Sequence, residues 1–551
     1  MSQLSQLKMQ SDVDVVRPET EETTYVVIIG AGLAGIAAAI ALKEDLNFDG
    51  FTIYEKSPDG VGGVWRDNTY PGCGSDVPGH WYSLSRAPNP HWASYYPAQG
   101  ELQAYWDALW TRAGLRAHTR CGTEVVRATW DPAARTYAVE LEDVASRARR
   151  TVVARVVINA TGPFQASRVP EDLRAAAGVF AGESWHSARW RHDVPLAGKR
   201  VGVVGNGCSA AQFVPQISKD PSVEVINFCR SPQWYIPRFQ FDYPSWAKWV
   251  FAHVPFAMWA YRAFLMGRAD MVFMLFRQTE SRYQRDARKG MTRYIKKMAP
   301  EKYHANLIPQ FPPGCKRLIV DPGYLKCLHR PNVTLTFDAI DRILPRGVQL
   351  KTGEVVPLDV LIFGTGFSLM PPRLEIIGVG GLRLADYWKS KGGPEAYYGL
   401  AVPNFPNYFM LLGPNSAGGH ASVIFIEEVQ IQHTMQLIKP ILAGKVRSVA
   451  VREEASAKYN SWLQARLARS VWNFCDSYYR REGTNGKIIA TFPGTVSLFW
   501  WLARRPRYSD YEVVVSGEER WPRLKRVSTL LVVAVAVTLG VVRGNWVPNL
   551  G

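Results

Sequence analysis

One short stretch constrains this chain more than any other. It is an apolar run, Tyr25-Val26-Val27-Ile28-Ile29, followed by Gly30, Gly32 and Gly35 at G-x-G-x-x-G spacing. The run has the unbroken apolar character of a parallel strand buried on both faces. An alanine-rich helical pattern follows to Leu42, and a second strand, Phe51 to Tyr54, ends at Glu55, 20 residues past Gly35. Strand, glycine turn, helix, strand and terminal acid together specify a dinucleotide-binding βαβ unit, where the glycine spacing alone would not. Gly30 makes the tight turn, Gly32 lets the backbone approach a pyrophosphate, and Gly35 lets helix and strand pack closely. The helix N-terminus supplies free N–H donors for the phosphates. A carboxylate at Glu55 accepts hydrogen bonds from a ribose and repels a 2′-phosphate, so this site suits FAD or NAD and not NADP.

A second unit of the same kind begins at Lys199. The strand Lys199 to Val204 opens into Gly205-Asn206-Gly207-Cys208-Ser209-Ala210, with alanine in place of the third glycine, and a helical pattern runs to Ile217. The next strand, Val223 to Phe228, leads to Arg230-Ser231 and not to an acid. A guanidinium there pairs with a ribose 2′-phosphate, so the second site prefers NADPH. The fold class is therefore α/β, with two Rossmann-like dinucleotide-binding domains, for FAD and NADP.

Between and after these units the chain supplies connecting pieces. Glu101 to Leu115 has helical spacing of aromatic and leucine residues and reads as a packing helix. Glu124 to Trp130 and Thr136 to Leu141 read as strands joined at Asp131-Pro132. Val152 to Ile158 is a buried strand leading into Ala160-Thr161-Gly162, where small residues permit close approach to the first nucleotide turn. Residues 359–366 form a further strand ending in Thr-Gly, where the chain is expected to return to the first nucleotide domain. Tyr408 to Leu412 with Gly413-Pro414-Asn415-Ser416 is another strand and turn, and Glu427 to Ile441 a packing helix. From about Tyr243 to Met298 the chain is rich in Trp, Phe, Met, Arg and Lys with helical periodicity. Charges and Pro255 interrupt it too often for a membrane span. It reads as a helical insertion that shapes a substrate pocket or, equally, as a plain packing subdomain.

The expected layout is a lead at 1–24, an FAD-binding domain at 25–165 and 355–510, and an NADP-binding domain at 166–240 and 300–354. The helical insertion takes 241–299, and a C-terminal apolar tail 511–551.

The 551 residues give ample core for two or three domains. The net charge of +17 points to an anionic partner. The basic residues are dispersed, without zinc-finger spacing or an RNP-like aromatic strand, which argues against nucleic acid. Of the seven cysteines, no two form C-x-x-C. That excludes a flavin disulfide reductase, and an odd count without a framework fits a reducing compartment. His186 has no second ligand at metal spacing, so it reads as structural and no metal is assigned. The first two dozen residues are polar and acidic, without an apolar signal region. Ser528 to Val542 is almost all Leu, Val and Ala, behind Arg520, Arg523, Lys525 and Arg526. It is short for a spanning helix. It fits a short tail anchor, an interfacial segment or a C-terminal piece docked on the protein, and its valines also allow a buried strand. The expected localisation is cytoplasmic, with membrane association possible through residues 528–542.

Two more motifs are specific. Phe180, Gly182, His186 and Trp190 stand at F-x-G-x-x-x-H-x-x-x-W spacing. Gly62, Gly63, Trp65, Tyr70, Pro71, Gly72 and Asp76 form a second set. Both resemble the signatures of Baeyer–Villiger monooxygenases, and the resemblance runs from about Tyr25 to Pro493. It is similar in layout to the fungal members that act on secondary metabolites. One departure is Arg191 directly after Trp190, where the family has Pro or Asp. The resemblance implies an FAD-dependent, NADPH-consuming enzyme that inserts one oxygen atom of O2 beside a ketone carbonyl through a C4a-peroxyflavin. An N- or S-oxygenating flavin monooxygenase is the alternative. By the same resemblance Arg317 is the active-site arginine and Asp76 its carboxylate partner. Gly63, Val64, Trp65, Asp76, Tyr82, Val125 and Asn415 join Gly30, Gly32, Gly35 and Glu55 around FAD. Gly74, Ser75, Lys316 and Arg317 join Gly205 to Ala210, Arg230 and Ser231 around NADP. The implied substrate is a small-molecule ketone, bulky and apolar if the many aromatics face it.

Overall fold

The computed structural model describes residues 23–517, apart from 172, 175–177, 278–280, 370–372 and 482–485. Of the expected N-terminal lead at 1–24, residues 1–22 lie outside the described residues, as does the apolar run at 528–542, while Thr23 and Thr24 open the first strand. The chain divides into a large compact unit that reaches Val514 and a second unit from Val515. Both nucleotide motifs lie in the large unit.

The first motif builds an eight-stranded sheet. Its centre is the strand Thr23–Ile29, paired in parallel with Phe51–Tyr54 on one side and Arg149–Asn159 on the other. Val26, Val27 and Ile28 are fully buried, as an uninterrupted β-branched run must be between two covered faces. The predicted hairpin forms antiparallel strands at Thr123–Asp131 and Thr136–Asp143. Tyr408–Met410 adds in parallel to Arg149–Asn159. The helix Leu33–Leu46 is buried from Leu33 through Leu42 and carries no polar face there. A helix that is apolar all round must be covered on all sides. The sheet takes one flank and the helix Val423–Leu442 packs on another.

The second motif builds a five-stranded parallel sheet. Its order is Val333–Thr336, Glu224–Phe228, Arg200–Val204, Val360–Phe363, Glu183–His186. This corrects one expectation. The strand ending in Thr-Gly does not return the chain to the first domain; Val360–Phe363 pairs with Arg200–Val204 inside the second sheet. The return comes later, at Glu375–Ile377, which pairs with Thr123–Asp131. The physical reason is symmetry of need. Each glycine turn wants a small-residue strand end beside it, and Ala160 serves the first turn while Gly364 serves the second.

The F-x-G-x-x-x-H-x-x-x-W segment is architectural. It supplies the edge strand Glu183–His186, and a Cβ on Gly182 would lie 2.4 Å from the Asp359 carbonyl oxygen. His186 Nδ1 accepts from the Ala188 N–H at 3.1 Å, and burial lowers the ring's pKa to about 4. Trp190 packs on Phe213 of the helix Cys208–Ile217, and Tyr70 packs edge-on to the same ring. Arg191, the departure from the family pattern, forms a forked ion pair with Asp193 at the surface.

The insertion is helical as expected, with helices Ser245–His253, Ala257–Val272, Met274–Arg277 and Arg282–Met298. Its inner aromatics close over His80, which touches Tyr243, Phe251 and Tyr261. Arg262 anchors it by donating to the Ser83 carbonyl and to the hydroxyls of Ser83 and Ser85.

Candidate active site

The loop of residues 70–76 leaves the first region and docks on the second. Tyr70 donates its hydroxyl hydrogen to Gln212 at 2.8 Å, and Gln212 Nε2 donates to the Gly74 carbonyl at 2.9 Å. Gly74 bridges Ala98, and the Ser75 N–H donates to the Pro97 carbonyl. The Ser75 hydroxyl bonds both the N–H and the carbonyl of Val77. These bonds fix the backbone on both sides of Asp76.

Arg317 arrives from the opposite side. It lies two residues before the strand Ile319–Asp321, which pairs in parallel with Tyr235–Pro237. Its Nη2 and Nε both reach Asp76 Oδ2, at 2.7 and 3.2 Å. Its Nη1 donates to the Gly419 carbonyl at 3.0 Å. The Asp76 carboxylate holds the guanidinium's pKa well above its ordinary value. About a quarter of each side chain stays accessible, so the pair is fixed without being sealed. The sequence thus placed both members of the pair 241 residues apart, and the fold brings them into contact.

The sequence did not reveal what surrounds them. Gly419 offers its carbonyl. Phe276 of the insertion packs where a Cβ on Gly314 or Gly419 would otherwise lie, at 2.8 and 3.1 Å from its ring. His420, whose ring meets Phe273 and Phe276, is lowered to about 4 by burial and by Arg317, so it is neutral near pH 7. Cys315 is joined to Cys475. That bond removes the cysteine argument for a reducing compartment. Two cysteines 160 residues apart carry no local signal of pairing.

The first nucleotide turn has the predicted form. Glu55 is buried, with Oε2 accepting from the Ala31 N–H at 2.8 Å and Oε1 from the Ser57 N–H at 2.9 Å. These bonds aim the carboxylate and leave lone pairs for hydroxyl donors. The two glycine segments converge: a Cβ on Gly63 would lie 3.0 Å from Gly32 Cα. Val64 and Trp65 start the short helix Val64–Asp67, and Trp65 packs edge-on to buried Tyr82. Burial raises the Tyr82 phenol well above its usual range. Val125 sits in the strand Thr123–Asp131 beside a register shift. Asn415 is buried, its Nδ2 donating to the carbonyls of Ile488 and Thr491, while its Oδ1 has no partner among the described residues. An unpartnered buried acceptor is costly, and it fits a bound donor.

At the second turn, Gly205, Asn206 and Gly207 lead into the helix Cys208–Ile217, with Ser209 in its first turn and Ala210 fully buried. A Cβ on Gly207 would meet nothing within 4 Å, so the backbone there is open to a ligand. Asn206 Nδ2 donates to the Ser231 carbonyl at 2.9 Å, and Lys316 Nζ donates to the Ser231 hydroxyl at 2.8 Å. Burial and then the neighbouring Arg230 lower the Lys316 pKa. Asp476 partly offsets that repulsion, and a bound phosphate would offset it further. Burial raises the Cys208 thiol to about 11, so it stays protonated.

The fold and site point to one enzyme class: two Rossmann-like regions with a fixed arginine–carboxylate pair. Known proteins place the chain within that class. Residues 28–97 match a family described as NAD(P)-binding Rossmann-like domain, and residues 93–252 one described as L-lysine 6-monooxygenase/L-ornithine 5-monooxygenase. A Baeyer–Villiger monooxygenase of Streptomyces coelicolor is 33% identical over 506 residues, covering 90% of this chain and 94% of that protein. The FAD-binding monooxygenase tazF of Aspergillus terreus is 31% identical over 500 residues, covering 87% of each chain. Among solved structures, the closed form of cyclohexanone monooxygenase matches with a TM-score of 0.79 at 25% identity, covering 90% of this chain and 100% of that one. An oxidised steroid monooxygenase bound to NADP matches at 0.76 and 25%, with the same coverage.

The chain belongs to the Baeyer–Villiger monooxygenases, FAD- and NADPH-dependent enzymes that use O2.

Proposed function

We propose that Arg317 and Asp76 carry the oxygenation, on a ketone, by the balance ketone + O2 + NADPH + H⁺ → ester or lactone + H2O + NADP⁺. Glu55, the glycines 30, 32, 35 and 63, Val64, Trp65, Tyr82, Val125 and Asn415 would hold FAD. Gly74, Ser75, residues 205–210, Arg230, Ser231 and Lys316 would hold NADPH. Bound flavin, once reduced, supplies the activation of O2. The protein's part is electrostatic. Negative charge develops on the reacting oxygen and then on the carbonyl oxygen, and a guanidinium already fixed beside them lowers the barrier without reorganising. Asp76 and the Gly419 carbonyl hold Arg317 in that place.

The same arginine would serve NADP, since the second turn and Lys316 lie on its side of the site. The domain division is proposed with one shift: the NADP-binding part extends through Val360–Phe363 and the FAD-binding part resumes at Glu375–Ile377. The apolar run at 528–542 is proposed as a membrane attachment, on its composition and its four basic neighbours alone.

The observation that carries the reading is the fork of Arg317 on Asp76. The test is anaerobic reduction by NADPH followed by air and a panel of ketones, with product mass followed. A gain of one oxygen atom in a ketone supports it. Conversion of amines or thioethers with every ketone untouched would move the enzyme to N- or S-oxygenation.

A further inference from the structure

The insertion helices turn the wrong face to solvent. On Ser245–His253, Trp246 and Trp249 are exposed, with Ala247 buried between them. On Ala257–Val272, Trp259, Phe264 and Met271 are exposed, while Met258, Leu265 and Ala269 are the buried set. Phe256, in the turn joining the two helices, is 82% exposed, and Trp246 and Trp259 are each 71% exposed. Phe256 also sits at φ 63°, a left-handed backbone that a bulky side chain adopts only at a cost. The helix Val496–Ala503 packs on Ala257–Val272 and adds exposed Trp500 and Trp501.

Scattered apolar side chains on a surface need no explanation, but this many exposed aromatics on three helices that pack on one another do. Its charge is one-sided. Of the charged residues on the two helices, Arg262 is turned inward to Ser83 and Ser85, which leaves Lys248, Arg268 and Asp270. Asp270 is occupied: it accepts from the N–H groups of Val496 and Ser497 at the start of the third helix. Arg504 lies over the rings of Trp500 and Trp501, at 4.1 and 4.5 Å, and Arg505 beside it is exposed. The whole insertion, residues 241–299, carries eleven Lys or Arg against four Asp or Glu. About two-fifths of the chain's +17 net charge is gathered there.

Tryptophan rings prefer the headgroup level of a bilayer, and basic side chains reach up from it to anionic lipid. We infer that the exposed face of the helices Ser245–His253 and Ala257–Val272, with Trp500 and Trp501, is an interfacial docking surface for an anionic lipid bilayer. This surface uses neither the residues of the run at 528–542 nor Arg317 and Asp76. A second copy of the chain is the competing occupant, but it would bring the same excess of positive charge to the contact.

The test is sedimentation of the full-length holoenzyme with vesicles of phosphatidylcholine alone or with phosphatidylserine. Stronger partitioning onto the anionic vesicles, by about tenfold and weakened by salt, is expected. The triple variant Trp246→Ser, Trp249→Ser, Trp259→Ser is expected to lose about tenfold in partitioning. Its flavin absorbance and its NADPH oxidation in solution should stay unchanged, which shows that it is folded. A reciprocal variant, Leu531→Ser, Val533→Ser, Val535→Ser, is expected to keep the dependence on the three tryptophans. Absence of vesicle binding, or binding that the tryptophan variant retains, overturns the inference. So does a dimer in vesicle-free solution that the tryptophan variant abolishes.

Discussion

The two nucleotide turns are built alike and tipped differently. Gly30 and Gly205 both adopt left-handed backbone, at φ 99° and 107°. A Cβ on either would strike a carbonyl oxygen of a neighbouring strand end, Ala160 at 2.9 Å or Gly364 at 2.5 Å. The third motif position differs. At Gly35 a Cβ would lie 2.0 Å from the Gly30 oxygen, whereas Ala210 accommodates its methyl against Gly364. At the ends of the second strands stand a buried acid, Glu55, in one region and two cations, Arg230 and Lys316, in the other. Sterics make the common frame, and under the proposed assignment the sign of the charge at the tip separates FAD from NADPH.

Five substitutions sharpen or break that comparison, from the largest effect to the smallest. Arg317→Ala removes the cation shared between the regions. Product formation should fall by about 2.7–4 kcal/mol in activation, while anaerobic flavin reduction by NADPH, followed by stopped-flow absorbance, persists. Loss of both rates together would make Arg317 a binding residue only. Gly35→Ala should cost about 3 kcal/mol by overpacking and lower the flavin-to-protein ratio on purification. Gly207→Ala, in open space, should leave that ratio intact and raise KM for NADPH; equal flavin loss in both would erase the distinction between the turns. Lys316→Ala should raise KM for NADPH by about 1.5–3 kcal/mol, the usual worth of a hydrogen bond to a charged group, with little change for NADH. Ala210→Gly should cost about 1 kcal/mol of stability through helix propensity, read as a small drop in melting temperature with activity retained.

The comparison also shows what could be read early. Thr23–Ile29, Phe51–Tyr54, Arg200–Val204 and Glu224–Phe228 are strands flanked by glycine turns, and their pattern is local. The insertion's helices were legible from periodicity, but its exposed tryptophans were not: spacing marks one face of a helix without saying which way it points. The strand Val360–Phe363 carried the right secondary structure and the wrong address, because a buried apolar run suits either sheet.

By itself the sequence determined the α/β class, the two glycine turns, the acid and arginine tips, and, through resemblance, the pairing of Arg317 with Asp76. These depend on residues near one another in the chain or on a shared motif. Only the tertiary structure decided which sheet took Val360–Phe363, that Cys315 meets Cys475, that the Gly419 carbonyl steadies Arg317, and that the insertion presents its tryptophans to solvent. Each of those is a contact or an exposure between segments distant in sequence, set by which surfaces the packing leaves free.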